Sequence, residues 1–158
     1  MKGRRSNNFN LTIMNKQKGF TIIELLVVVA IIAVLAAIVL VNVTQYINQG
    51  KNAAIKGNLA SVLTNGAVFF DANGSYSGFC ASSYVTNPEA AIAAAGGTSG
   101  NCKVKTDDTA WCDCSELKIT TADPANSTFC VDSTGYKKVT QNAGKCATRC
   151  PAAGACID

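Results

Sequence analysis

The chain has 158 residues with 14 basic and 10 acidic side chains, a net charge of +4. It contains no histidine, which excludes Ser–His–Asp and Cys–His catalytic arrangements. Five basic and no acidic residues lie before residue 20, so the remainder holds 9 basic and 10 acidic residues, a net charge of −1. That remainder has no basic stripe that would favour nucleic-acid binding.

Residues 20–41 form an apolar run of membrane-spanning length. From Leu25 to Val41 there are 17 consecutive residues without a polar side chain. With the residues from Phe20 to Ile23, the run reaches the roughly 20 residues that a helix needs to cross a bilayer. Basic residues before a membrane helix favour the cytoplasmic side for that end. The segment before the run carries five of them: Lys2, Arg4, Arg5, Lys16 and Lys18.

Glu24 is the one carboxylate near the start of this run. An ionisable group within a membrane helix costs about 2.5–3.5 kcal/mol on insertion scales, so it usually has a function and a partner. Because the group is expensive to insert, we interpret Glu24 as the most informative residue of the chain.

Three interpretations of the N-terminal segment compete. A secretory signal peptide has an apolar region of about 7–15 residues and an A-x-A-like cleavage site; this run is longer and contains no A-x-A triplet. The second interpretation is an ordinary single-pass anchor with an incidental Glu24. In the third, cleavage occurs before the run, between Gly19 and Phe20, and the membrane helix stays on the mature chain.

Residues 18–38 read K-G-F-T-I-I-E-L-L-V-V-V-A-I-I-A-V-L-A-A-I and closely resemble the prepilin cleavage and methylation motif of type IV pilins and type II secretion pseudopilins. The resemblance implies that a prepilin peptidase cuts after Gly19 and that the new amine of Phe20 is methylated. It also implies that Glu24 acts in subunit assembly. Many members of the family carry Gly and Pro at the positions of Ala33 and Val41.

An amphipathic helix is predicted to continue over residues 42–70 and to pack against the chain's own head. Gly50, Gly57 and Gly66 each weaken it by up to ~1 kcal/mol relative to alanine. The sequence D-A-N-G-S predicts its end near Asp71. Its apolar positions recur at spacings near three and four: Val43, Tyr46, Ile47, Ala54, Leu59, Val62, Leu63 and Phe70.

Residues 71–158 form a cysteine-rich head, for which we predict disulfides in an oxidising compartment. The even count allows 105 connectivities, and Cys112 and Cys114 are expected to reach different partners. Zinc is the alternative, but Cys112-x-Cys114 and Cys146-x3-Cys150 lack the common spacing of thiolate ligands. All eight cysteines are in this segment: Cys80, Cys102, Cys112, Cys114, Cys130, Cys146, Cys150 and Cys156.

Short extended segments are predicted in the head at residues 108–114 and 117–120. Residues 128–132 and 136–140 are predicted to form a hairpin around Ser133-Thr134-Gly135. Alternation of Phe129 and Val131 with polar or cysteine residues indicates a sheet with one covered face. Trp111 is expected in the core.

A short helix is predicted over Pro88–Ala95, with Asn87 as its cap and proline at its first position. Five aspartates of the head are interpreted as solvated turn residues, because they form no EF-hand-like series of calcium ligands. They are Asp107, Asp108, Asp113, Asp123 and Asp132. The fold class is therefore α+β, with a long N-terminal helix on a small antiparallel, disulfide-rich sheet.

The sequence predicts a structural protein with no enzymatic activity, cofactor or metal. By resemblance, it is a subunit of a type IV pilus-like filament, with a type II secretion pseudopilin as the alternative and a non-polymerising surface binding domain as a second one. Expected partners are identical or related subunits, the prepilin peptidase/methyltransferase and an inner-membrane assembly platform. The chain is expected in the inner membrane, head outside, before assembly and in an extracellular filament afterwards. There, Glu24 would neutralise a neighbour's N-terminal amine.

Overall fold

The computed structural model describes residues 19–141, 145–151 and 154–157, except for the side chain of Val41. It divides the chain into two compact units, Met1–Val39 and Leu40–Asp158. The predicted leader lies outside the described residues apart from Gly19. The described part of the first unit is mainly helical, and the second unit contains the sheet and the disulfides.

Helix α1 covers Ile22–Asn73, 52 residues that include Ala33 and Val41. It ends where Gly74 adopts φ +71° and donates its backbone N–H to the carbonyl of Phe70 at 2.7 Å. A glycine in this left-handed conformation commonly closes a helix. The predicted end near Asp71 is confirmed to within two residues.

The second half of α1 packs on the head through a narrower stripe than the sequence predicted. Buried positions recur every three or four residues, as expected for one helix face: Asn52, Ile55, Leu59, Val62 and Gly66. Four positions that were predicted to pack against the head are instead exposed, so that part of the prediction is wrong: Val43, Tyr46, Ile47 and Ala54. Phe70 does pack on the head, with its ring centroid 5.0 Å from that of Tyr76. The buried stripe begins at Asn52, whereas Gln45 and Asn48 contact the head through polar side chains that stay partly or largely exposed.

An antiparallel sheet of four strands, counted over the described residues, forms the centre of the second unit. Its strands are hydrogen-bonded in chain order and are β1 Lys103–Val104, β2 Trp111–Glu116, β3 Thr128–Asp132 and β4 Lys137–Thr140. The predicted hairpin is confirmed as β3 and β4, with Gly135 at φ +91° in the turn. The side chain of Asp132 accepts the backbone N–H of Thr134 at 2.8 Å, which orders that turn.

Both faces of the sheet are covered, which corrects the prediction of one covered face. Trp111, Phe129 and Val131 join Ile55 and other apolar residues in one core. Cysteines Cys112, Cys114 and Cys130 lie at alternate positions and form a second cluster on the opposite face. All five residues of β3 are therefore buried.

Four disulfides join the eight cysteines, all of which lie in the described part of the chain. Cys112 and Cys114 reach different partners, Cys150 and Cys146, on either end of the one-turn helix α3, Cys146–Arg149. The other bonds are Cys130–Cys156 and Cys80–Cys102. Three of these disulfides attach the C-terminal segment to β2 and β3. Such crosslinks commonly stabilise small domains whose apolar core is limited.

The segment 117–120, predicted as a strand, is not one. Its backbone pairs with a side chain of α1: the amide of Asn52 donates to the carbonyl of Lys118 at 2.8 Å and accepts its N–H at 2.7 Å. Asn52 also donates to Asp123 at 3.0 Å, and the ammonium of Lys56 lies 2.8 Å from the same carboxylate. The side chain of a buried asparagine thus makes the two hydrogen bonds to Lys118 that a neighbouring strand would otherwise make.

Helix α2 covers Ser83–Ala94 and begins five residues earlier than predicted, with Pro88 inside it rather than at its first position. A proline there removes the N–H that would bond to the carbonyl four residues before it. That carbonyl, of Tyr84, instead accepts a hydrogen bond from the side-chain amide of Asn65 on α1 at 2.7 Å. The neighbouring helix therefore compensates for the missing bond.

Trp111 is fully buried, as predicted, and its indole lies against Gly66. A Cβ atom at Gly66 would lie 2.6 Å from a ring carbon of Trp111. The ring also packs on Phe79 and Tyr76, with centroids 4.8 and 6.3 Å away. Gly66 therefore permits close contact between helix and sheet.

Replacing Gly66→Ala should destabilise the head by about 1–3 kcal/mol, because the new methyl group overpacks against Trp111. Gly57→Ala is the matched control on the same helix, since nothing lies within 4 Å of its Cβ position. The control should stabilise the protein by up to ~1 kcal/mol through helix propensity. Urea unfolding of the detergent-solubilised chain, followed by Trp111 fluorescence, measures both; equal effects would contradict the contact.

Candidate functional site

The first half of α1 exposes its apolar side chains around the whole helix. Ile22, Leu26 and Leu35 are 79%, 64% and 57% exposed, and the other large residues of the run are similar. Its most apolar 18-residue window has a mean hydropathy of 3.3, and none of that window is buried. Among the described residues, α1 is the one helix long and apolar enough to cross a membrane. An apolar surface of this extent requires lipid or other helices as cover.

Glu24 lies in the first turn of α1 and forms a capping box with Thr21. One oxygen, Oε2, accepts the backbone N–H and the hydroxyl of Thr21, both at 2.8 Å. The hydroxyl oxygen of Thr21 accepts the N–H of Glu24 at 3.2 Å. These reciprocal bonds satisfy donors that are otherwise unpaired at a helix start.

The sequence analysis missed this local role, although T-I-I-E has the spacing of a capping box. Both bonds from Thr21 end on Oε2, so within residues 19–141 the other oxygen, Oε1, is available for a second partner. The structure therefore shows Glu24 as a helix-capping residue. The predicted intersubunit contact of Glu24 stays a prediction, and it would use Oε1.

Gly19 and Phe20 lie just before α1, outside regular secondary structure. Phe20 is 83% exposed, and none of the described residues places an atom within 4 Å of a Cβ position at Gly19. An accessible, non-helical peptide bond is the form in which proteases cut most readily. The predicted cleavage site between Gly19 and Phe20 thus lies in exposed backbone before α1, four residues ahead of Glu24.

Three of the five aspartates that were predicted to be solvated turn residues are not exposed to solvent. Asp113, Asp123 and Asp132 are buried, which corrects that interpretation, whereas Asp107 is exposed and paired with Lys105 at 2.6 Å. Backbone and side-chain donors occupy Asp123 and Asp132. Across the described ranges, no group of three or more histidine, cysteine or acidic side chains is placed to hold a metal ion.

Asp113 is the unusual ionisable group of the head. It points from β2 toward the apolar core, where Oδ1 accepts the N–H of Cys114 at 2.7 Å. In the part of the chain that the structure describes, Oδ2 has no hydrogen-bond partner. Burial raises the pKa of Asp113 to about 7, and the negative charge of Glu89 acts in the same direction.

Comparison with known proteins matches the N-terminal region. A family profile described as the prokaryotic N-terminal methylation motif matches residues 14–40. The type IV major alpha-pilin of Moraxella bovis is 50% identical over 48 residues, which are 30% of this chain and 30% of that protein. The fimbrial protein Q of Moraxella bovis is also 50% identical over 48 residues, 30% of this chain and 31% of that protein.

The type IV major pilin protein PilA of Myxococcus xanthus is 41% identical over 64 residues, 40% of this chain and 29% of that protein. The chain therefore spans less than a third of the length of these relatives. No solved structure matches it. The predicted resemblance to type IV pilins is confirmed, and it rests on the motif and the first part of α1. Similarity to structural proteins fits a non-enzymatic role, and the exposed apolar helix fits membrane anchoring.

The raised pKa of Asp113 predicts that the head loses stability as pH rises. An unperturbed aspartate has a pKa of 3.8, against about 7 in the folded protein. Between these values the folded state binds more protons than the unfolded state, so the free energy of unfolding falls with rising pH and levels off above about 7. Asp113→Asn should abolish this decline in urea unfolding measured from pH 4 to 8.

Asp107→Asn is the control for that experiment. Contacts with Lys105 and Thr109 lower the pKa of Asp107 to about 2. Its contribution to stability is therefore lost between 3.8 and about 2, below the tested range. The control should keep the wild-type slope, and an unchanged slope in Asp113→Asn would contradict the assignment.

Proposed function

We propose that this chain is a structural subunit of a type IV pilus-like filament. The observation that carries the proposal is the match of residues 14–40 to the methylation motif, together with the apolar first half of α1, which the described residues leave exposed. In this role, prepilin peptidase cuts between Gly19 and Phe20, and the new amine of Phe20 is methylated. No catalytic step is assigned to the chain itself.

The apolar first half of α1 is covered differently at two stages of the subunit. Before assembly, residues 20–41 span the inner membrane once, with the basic segment in the cytoplasm and the head outside. The disulfides of the head fit that oxidising side. During assembly, an inner-membrane platform transfers the helix into a bundle of identical or related subunits, which replace lipid as its cover.

Glu24 is proposed to pair with the N-terminal amine of a neighbouring subunit. Cleavage places a positive charge four residues before Glu24, so neighbours with a small axial offset can bring the two charges together. Attraction is strong in an apolar bundle, whereas either charge left alone there is costly. Oxygen Oε1 is available for the amine while Oε2 continues to cap α1.

The alternatives predict different behaviour. A type II secretion pseudopilin would share the motif, but the matched relatives carry the names of pilins and fimbrial proteins, which favours the pilus subunit. A non-polymerising surface binding domain would keep its leader and remain monomeric in the membrane. Processing and assembly therefore separate the proposal from this second alternative.

The first prediction concerns processing. Mass spectrometry of the protein purified from its native host should give an N-terminus at Phe20, carrying one methyl group. Gly19→Val should block the cut, because a branched side chain replaces the smallest residue beside the cleaved bond. A wild-type protein that retains residues 1–19 would contradict the proposal.

The second prediction separates the charge of Glu24 from its capping role. Glu24→Gln can keep the capping box but loses the charge. Filaments should be lost, because an uncompensated buried amine costs on the order of 3–5 kcal/mol per subunit. Thr21→Ala is the matched control: it weakens the cap by about 1 kcal/mol but keeps the charge, so filaments should persist.

Electron microscopy of sheared filaments measures both variants, with mass spectrometry to verify that each is processed. Normal filaments from Glu24→Gln would show that the charge is dispensable. Loss of filaments from Thr21→Ala alone would assign the role of Glu24 to capping.

A further inference from the structure

The uncharged stretch of α1 is longer than a hydrocarbon core requires. No charged residue occurs from Leu25 to Gly50, 26 positions in all, and the next charge is Lys51. About 20 apolar residues suffice to cross the core of a bilayer. The uninterrupted apolar run ends at Val41, and residues 42–50 continue beyond it without charge, six of the nine with polar side chains.

A loop of the head is attached to this same part of α1. Thr121 donates its backbone N–H and its hydroxyl to the side-chain oxygen of Gln45, at 3.3 and 3.0 Å. The amide of Asn48 donates to the carbonyl of Ile119 at 3.3 Å. The loop is thereby held one to two turns after Val41.

Helix geometry limits how far this loop can lie from the membrane core. At 1.5 Å per residue, the backbone of Gln45 is at most ~6 Å beyond Val41 and that of Asn48 at most ~10 Å, and tilting shortens both distances. The polar headgroup layer is about 5–8 Å thick on each side of the core. The loop therefore lies at or next to the headgroups.

The side chains gathered there suit an interfacial environment. We call Asn42, Gln45, Tyr46, Ile119 and Thr121 the basal surface; none of them is charged. Tyr46 is 71% exposed and Ile119 is 65% exposed. Tyrosine is enriched at membrane interfaces, and exposed isoleucine gains from partial burial among headgroups.

We infer that the basal surface contacts the lipid headgroup layer while the subunit is in the membrane, so that the head rests on the bilayer through Tyr46 and Ile119. This inference rests on the membrane stage of the proposed function. It assigns a lipid partner to the exposed side chain of Ile119.

Tryptophan quenching in vesicles tests the contact in the full chain. The chain is reconstituted in phosphatidylcholine vesicles with or without brominated acyl chains, which quench nearby tryptophan. Trp111 is the single tryptophan and is fully buried, so the wild type gives the background. The probe is Ile119→Trp, and Leu35→Trp reports insertion of the apolar run.

Tyr84→Trp is the matched control, because Tyr84 is also exposed but is bonded to Asn65, 20 residues beyond Gln45. Contact predicts quenching of Ile119→Trp by at least about twofold more than Tyr84→Trp, since interfacial residues reach the acyl boundary. Equal quenching of the two would overturn the inference. A quenched Leu35→Trp in that experiment would show that the membrane stage itself still holds.

Two further outcomes are decisive. An unquenched Leu35→Trp would overturn the membrane stage and the inference with it. An Ile119→Trp emission that shifts to the blue with increasing protein-to-lipid ratio, without quenching by bromine, would assign the basal surface to a second copy of the chain. Non-reducing mass measurement verifies that every variant retains its four disulfides.

Discussion

The apolar surface of α1 is the constraint on which the rest of the structure depends. In the second half of the helix, the stripe from Asn52 to Gly66 is covered by the chain's own head. The first half has no such cover among the described residues, and its large apolar side chains from Ile22 to Leu40 are exposed. Because exposure of this surface to water is costly, the first half needs lipid or other helices as cover.

The sequence was sufficient to predict this helix because its signals are local. Composition, the run of apolar residues and the turn at Gly74 are each read from neighbouring positions. The capping role of Glu24 is equally local, since Thr21 and Glu24 have the three-residue spacing of a capping box. It was not predicted, because the carboxylate was interpreted only as a group that needs a partner in another subunit. The two roles are compatible, since they use different oxygens of the carboxylate.

The head was predicted less well because its structure depends on contacts between distant segments. The backbone of Lys118 pairs with the side chain of Asn52, 66 residues away, which no strand pattern indicates. The early start of α2 depends on Asn65 compensating for Pro88. Cysteine count predicted a disulfide scaffold, but three of the four pairings depend on where the C-terminal segment lies against β2 and β3.

A reconstruction of the native filament at side-chain resolution tests the central claim most directly. The account predicts that the carboxylate of Glu24 lies within ion-pair distance, about 4 Å, of the N-terminal amine of Phe20 in a neighbouring subunit. It also predicts that the first half of α1 is buried among other helices. A Glu24 that faces solvent, or contacts only its own Thr21 with every neighbouring amine distant, would contradict the account.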